Sequence, residues 1–303
     1  MSAGLLVVLA VCAGEARAAP VAGCAAGALD ACAEEGAVLV SAGRWTEAER
    51  LLRTACDAGG GSACYTLGSA HARGAGPPRD LGRAAGIFER ACELGYARAC
   101  GDLGWMHAEA LGVERDEVRA RAWMGRACDG GEARACGELS VLLRDGRGGA
   151  SDPVAAEARA EQGCRGSDGP SCVHAATRAE ARGDASGAYR LAVAGCELGE
   201  GRACAMAGVA LQRGHGVAPS PVEGLARLEA SCAAGYGPGC TAGGLLGVDL
   251  AAREGTADRD AATRAVALLQ RGCALGERHA CEVLEAAAGP PDPAPAEPVP
   301  VDP

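Results

Sequence analysis

The sequence predicts an all-α protein, a right-handed solenoid of helical hairpins, each clipped by a disulfide. Three observations carry that prediction. Cysteines come in pairs eight positions apart, as in "ACELGYARAC" at 91–100. From the second Cys of one pair to the first of the next the chain advances 24, 28, 28, 28, 24, 28 and 33 residues. A fixed internal period of this kind is the signature of a repeat array and overrides the two-domain expectation for 303 residues. Hydrophobic residues make up 49% of the chain but aromatics only 3%. A chain fed mainly by Ala, Val and Leu suits close helix-on-helix packing and supplies a β-sandwich core poorly.

Residues 1–18 read as a signal peptide. Leu5 to Ala13 is an apolar core too short to span a bilayer, and Ala16-Arg17-Ala18 forms a small-residue cleavage site. An alternative takes Leu9-Ala10-Val11-Cys12 as a lipobox and makes a lipoprotein anchored through Cys12. Both readings export the chain, to the periplasm or the medium, and no later segment is apolar enough to cross a membrane. In an oxidising compartment the sixteen remaining cysteines are expected to pair. Zinc is the competing use, but paired zinc ligands prefer two to four intervening residues and here there are seven.

The solenoid is expected over 19–288. Its opening pair, Cys24/Cys32, has too few residues ahead of it for a full helix and reads as a cap. Then come hairpins with pairs Cys56/Cys64, Cys92/Cys100, Cys128/Cys136, Cys164/Cys172, Cys196/Cys204, Cys232/Cys240 and Cys273/Cys281, each taken as one local disulfide. Eight residues before the first Cys sits Ala48, Ala84, Ala120, Ala156, Ala188, Gly224 or Ala265, small enough for helices to approach. Three residues after it sits Gly, except at Ser167. "RDLGRAAGIFERACELG" (79–95) has helical apolar spacing and ends in a glycine suited to an αL cap, and "ARACGDLGWMHAEA" (97–110) follows as a second helix. The pair straddles the turn between the two, where disulfide geometry is attainable.

Length varies only in the other turn. Short forms read "AGRW" (42–45) and "ARGD" (181–184); long forms read "ARGAGPPRD" (72–80) and "LGVERD" (111–116). Asp80, Asp116, Asp152 and Ser220 stand at matching places and are natural N-caps. The tail, 289–303, alternates Pro with small and acidic residues, cannot bury a core and is expected to be extended.

Leu67-Gly68, Leu103-Gly104, Gly214-His215-Gly216-Val217 and the Asp caps resemble Sel-one-like repeats. With a C-x7-C pair in every repeat, the chain is similar to the Hcp cysteine-rich proteins, exported bacterial proteins of disulfide-closed helical hairpins. That resemblance implies a tetratricopeptide-like superhelix. It also implies penicillin binding or weak β-lactam hydrolysis.

The residues supply little chemistry for an enzyme. With no Lys, the serine route to β-lactams lacks both S-x-x-K and K-T-G. The five His are dispersed, although His71 and His107 both lie seven after a second Cys and are a conceivable two-His site; the plainer reading makes them solvent-facing. No catalytic residue, cofactor or metal is expected. A net charge of −10 without a basic tract excludes electrostatic capture of nucleic acid. What remains is a monomeric binding scaffold for a protein or peptide partner of the cell envelope. The first helix of each hairpin is expected to line its face, with Tyr65, Trp105, Met106 and Met206 as candidate contacts.

Overall fold

The computed structural model describes residues 28–253 and 259–288. The leader, Cys12, Cys24 and the tail 289–303 lie outside them. The described residues are all-α, with fifteen helices and no strand among them. The chain divides into two compact units between Leu94 and Gly95. The first holds α1 (Leu29–Ser41), α2 (Trp45–Asp57), α3 (Gly61–Arg73) and α4 (Leu81–Glu93). The second holds α5 (Ala97–Glu109), α6 (Glu117–Asp129), α7 (Ala133–Asp145), α8 (Pro153–Arg165), α9 (Gly169–Ala181), α10 (Ala185–Glu197), α11 (Gly201–Arg213) and α12 (Pro221–Ala233). It ends with α13 (Gly237–Arg253), α14 (Arg259–Ala274) and α15 (Arg278–Ala288).

Two kinds of turn alternate. The cysteine turn is three residues long, as in Ala58-Gly59-Gly60 between α2 and α3. Its middle residue is left-handed: Gly59 at φ +97°, Gly131 at +88°, Gly199 at +81°, Gly235 at +83°. That geometry lets Gly60 N–H reach the Ala55 carbonyl and Gly59 N–H reach the Cys56 carbonyl, consuming helix-end acceptors. The two flanking cysteines then stand with Cα atoms 4.4–4.8 Å apart in Cys56–Cys64, Cys128–Cys136, Cys164–Cys172, Cys196–Cys204, Cys232–Cys240 and Cys273–Cys281. Cys32, Cys92 and Cys100 are disulfide-bonded as well. Ser167 takes the same backbone conformation at φ +71°, with the same hydrogen bonds around it. A Cβ there costs about 1 kcal/mol relative to glycine. Ser167→Gly is therefore expected to stabilise the chain by about that amount, read as a rise in the denaturation midpoint.

The longer turns start with another left-handed residue: Gly74, Ala110, Gly146 or Gly214. Asp80, Asp116 and Asp152 cap the next helix as expected, each accepting from the backbone N–H three residues on at 2.9 Å. Ser220 departs from the expectation: its side chain makes no cap hydrogen bond, and Pro221 opens the helix alone. The second glycine of the turn seats on an earlier helix start. A Cβ on Gly216 would collide with the Ala185 carbonyl, and one on Gly148 with the Glu117 carbonyl.

Small residues explain the helix contacts. A Cβ on Gly208 would lie 2.9 Å from the Gly224 carbonyl oxygen, and one on Gly104 3.2 Å from that of Ala120. The L-G glycine and the small residue eight before each Cys are thus the two sides of one crossing. In the second unit the helices joined by the longer turns pack more extensively than those joined by cysteine turns. In the first, α1 and α2, joined by the short turn 42–44, likewise pack more extensively than α2 and α3. The disulfides sit at the thinner junctions.

Candidate binding groove

The second unit carries a groove of about 390 Å³ between α5 and α7. On α5, Arg98, Gly101, Asp102 and Trp105 fall at helical spacing along one face. On α7, Arg134 and Glu138 repeat Arg98 and Asp102 thirty-six residues later, so "ARACGD" is answered by "ARACGE", and Ala135 lines the groove beside them. Glu132 enters from the cysteine turn, and Met124 of α6 closes the floor. Met124 is 4% exposed while Trp105 is 47% exposed, so an indole stands open above an apolar base with charge of both signs around it. Such a site can hold an apolar side chain while pairing charges at its rim.

The four candidate contacts separate in the structure. Trp105 lines the groove. Met106, its neighbour, points the other way and is 3% exposed; it belongs to the core and offers no contact surface. Tyr65, in the first unit, is half-buried with its ring centroid 5.5 Å from that of Phe88. Met206 is half-buried against the cluster of Ala176, Ala192 and Ala207. The groove lies on helices that follow their cysteine turns, α5 and α7, whereas the expected face is the first helix of each hairpin. The charged members went unnoticed in the sequence, although their thirty-six-residue recurrence was there to be read.

His71 and His107 are buried rather than solvent-facing. They are 2% and 7% exposed, and their carbonyls accept the N–H of Asp80 and Asp116. Leu143 and Leu211 hold the matching place in other repeats. His71 meets the Trp45 ring edge-to-face at 5.5 Å, and burial, with Arg83 nearby, pushes its imidazole below the ordinary 6.5. His174 is lowered too, by burial and then by Arg144 and Arg202. A histidine that resists protonation when folded takes up a proton on unfolding, so stability is whole above about 6.5 and falls as pH drops below it. The melting temperature is expected to fall on acidification through that range, and His71→Leu to remove the first unit's share. Among the described residues no three His, Cys, Asp or Glu side chains are grouped to hold a metal.

The family model described as "Sel1 repeat" matches residues 61–96, 97–132, 201–236 and 246–277. The chain carries Sel1 repeats over those residues. Solved structures agree in fold. A protective antigen from uropathogenic Escherichia coli, displaying an SLR fold, superposes with a TM-score of 0.74 at 20% identity, over 86% of this chain. The match spans only 56% of that protein. A Sel1 repeat protein from Oxalobacter formigenes gives 0.60 at 20% identity, over 66% of this chain and 84% of its own. Cysteine rich protein B of Helicobacter pylori gives 0.35 at 21% identity over 42% of this chain and 91% of its own, too small an overlap to speak to the fold. No curated protein matches the chain.

In the Sel1 frame the repeats at 61–96, 97–132 and 201–236 are each a helix, a longer turn and a second helix, as in α5–α6 and α11–α12. The cysteines fall near its two ends, Cys204 and Cys232 in 201–236 for example. Cys232 pairs with Cys240, beyond that repeat. Each such disulfide therefore ties the end of one Sel1 hairpin to the helix that follows it. Among the described residues no helix is long and apolar enough to cross a membrane.

Proposed function

We propose that this Sel1-repeat chain is an exported interaction scaffold whose second unit holds a peptide segment of an envelope partner in the α5–α7 groove. The open Trp105 above buried Met124 carries the reading, because a half-exposed indole over an apolar floor is the kind of anchor that dominates binding energy. Arg98 and Arg134 against Asp102, Glu132 and Glu138 favour a segment that carries both charges beside an apolar side chain. The density of disulfides supports an oxidising compartment.

The test is affinity capture from envelope extract with the wild-type chain and with Trp105→Ala. Partners held at the groove are expected to weaken by about thirtyfold, the loss of one anchor residue. Equal recovery by both chains sinks the groove assignment. Mass spectrometry of the mature N-terminus tests export: a start near Ala19 supports a cleaved leader, and a diacylglycerol on Cys12 would make the chain a lipoprotein.

A further inference from the structure

The disulfides share one ring size, so differences in their chemistry must come from their surroundings. Among the described residues, two of them receive a guanidinium. Arg159 on α8 donates through Nη1 to Cys128 Sγ at 3.5 Å, and Arg227 on α12 donates to Cys196 Sγ at 3.9 Å. Both arginines stand five residues before the first Cys of the following pair, and each lies against the pair before. Other repeats put Leu51, Leu191 or Leu268 at that place, so the fold does not demand an arginine there.

We propose that Cys128–Cys136 is a thiol-exchange site, with Cys136 the sulfur attacked by a monothiol and Cys128 the leaving thiolate held by Arg159. The incoming thiolate forms a bond to Cys136 Sγ as the Cys128–Cys136 bond breaks. The electron pair of that bond leaves on Cys128, and the attacking thiol ends as a mixed disulfide. Exchange is faster when the leaving thiol is more acidic, and a guanidinium in contact favours the charged form. Asp129 opposes this, since its carboxylate accepts from the same Arg159 Nη1. Burial does not distinguish the site: Cys128 and Cys136 are 0% and 1% exposed, Cys232 and Cys240 2% and 0%. Cys196 is more exposed, which mixes access with charge at the Arg227 pair and leaves Cys128–Cys136 as the cleaner case. Opening this bond would free α7 from α6 beside Glu132 and Arg134, a consequence that rests on the groove reading while the exchange itself does not.

The experiment incubates the oxidised full chain with glutathione, quenches with an alkylating agent and maps the peptides. Glutathione on Cys136 with alkyl on Cys128 is expected to accumulate roughly three- to tenfold faster than the corresponding products of Cys164–Cys172 and Cys232–Cys240. Arg159→Gln should bring the pair to the reference rate, and Asp129→Asn should accelerate it. General loosening by a variant would speed every pair together, so the readout is the ratio to Cys232–Cys240. Equal wild-type rates, an unchanged ratio in Arg159→Gln, or glutathione found on Cys128 would each overturn the assignment.

Discussion

Reduction with a phosphine is expected to lower the helical melting transition and to break its cooperativity, leaving a chain that unfolds in pieces. Each small ring contributes about 2.5 kcal/mol by restricting the unfolded chain. Where the bond sits matters as much as its size. Helices such as α6 and α7 are joined by a cysteine turn and pack less extensively than α5 with α6. A repeat array is stabilised by its units plus the interfaces between neighbours, and cooperativity comes from the interfaces. Removing the cross-link weakens the interface term while each Sel1 hairpin keeps its own packing. Circular dichroism melts with and without reductant measure this, and identical melts would show that packing alone carries the array.

Gly216→Ala is expected to destabilise by about 3 kcal/mol, from a left-handed φ of +74° and a Cβ driven into the Ala185 carbonyl. Backbone cannot step aside as a flexible side chain can. Gly235→Ala is the matched control: its φ is +83°, yet nothing lies within 4 Å of the added carbon. It should cost only about 1 kcal/mol, the conformational share alone. Equal losses in the two denaturation curves would mean that the seating of the long turn on α10 contributes nothing.

Much of the fold could be read from spacing because each physical demand recurs with the repeat. A left-handed turn needs Gly59, Gly131 and Gly199; a helix start needs Asp80, Asp116 and Asp152; a close crossing needs Gly208 opposite Gly224. Direction was harder. Trp105 and Met106 are adjacent and both apolar, and only the helix phase against α6 and α7 sends one to the groove and the other to the core. His71 and His107 misled for a related reason: polar side chains on a helix suggest solvent, but they occupy the place that Leu143 and Leu211 fill elsewhere. Arg159 shows the limit. Its register was visible, but its contact with a sulfur thirty-one residues away belongs to the stacked array alone.

The placement of the disulfides also decides what a protease can accomplish. A cut within a cysteine turn, at Gly130-Gly131 for instance, falls inside the ring closed by Cys128 and Cys136. Both new ends stay tethered, and the helices on either side remain attached to each other. A cut in a longer turn, such as the segment between α5 and α6, lies outside every ring formed by cysteines eight apart. It leaves only non-covalent packing across the break, but that break runs through the more extensive of the two kinds of helix contact. Either kind of nick therefore meets a second fastening, one of sulfur and one of packed side chains. A chain built this way could be nicked in its turns and still present Trp105 on an intact α5.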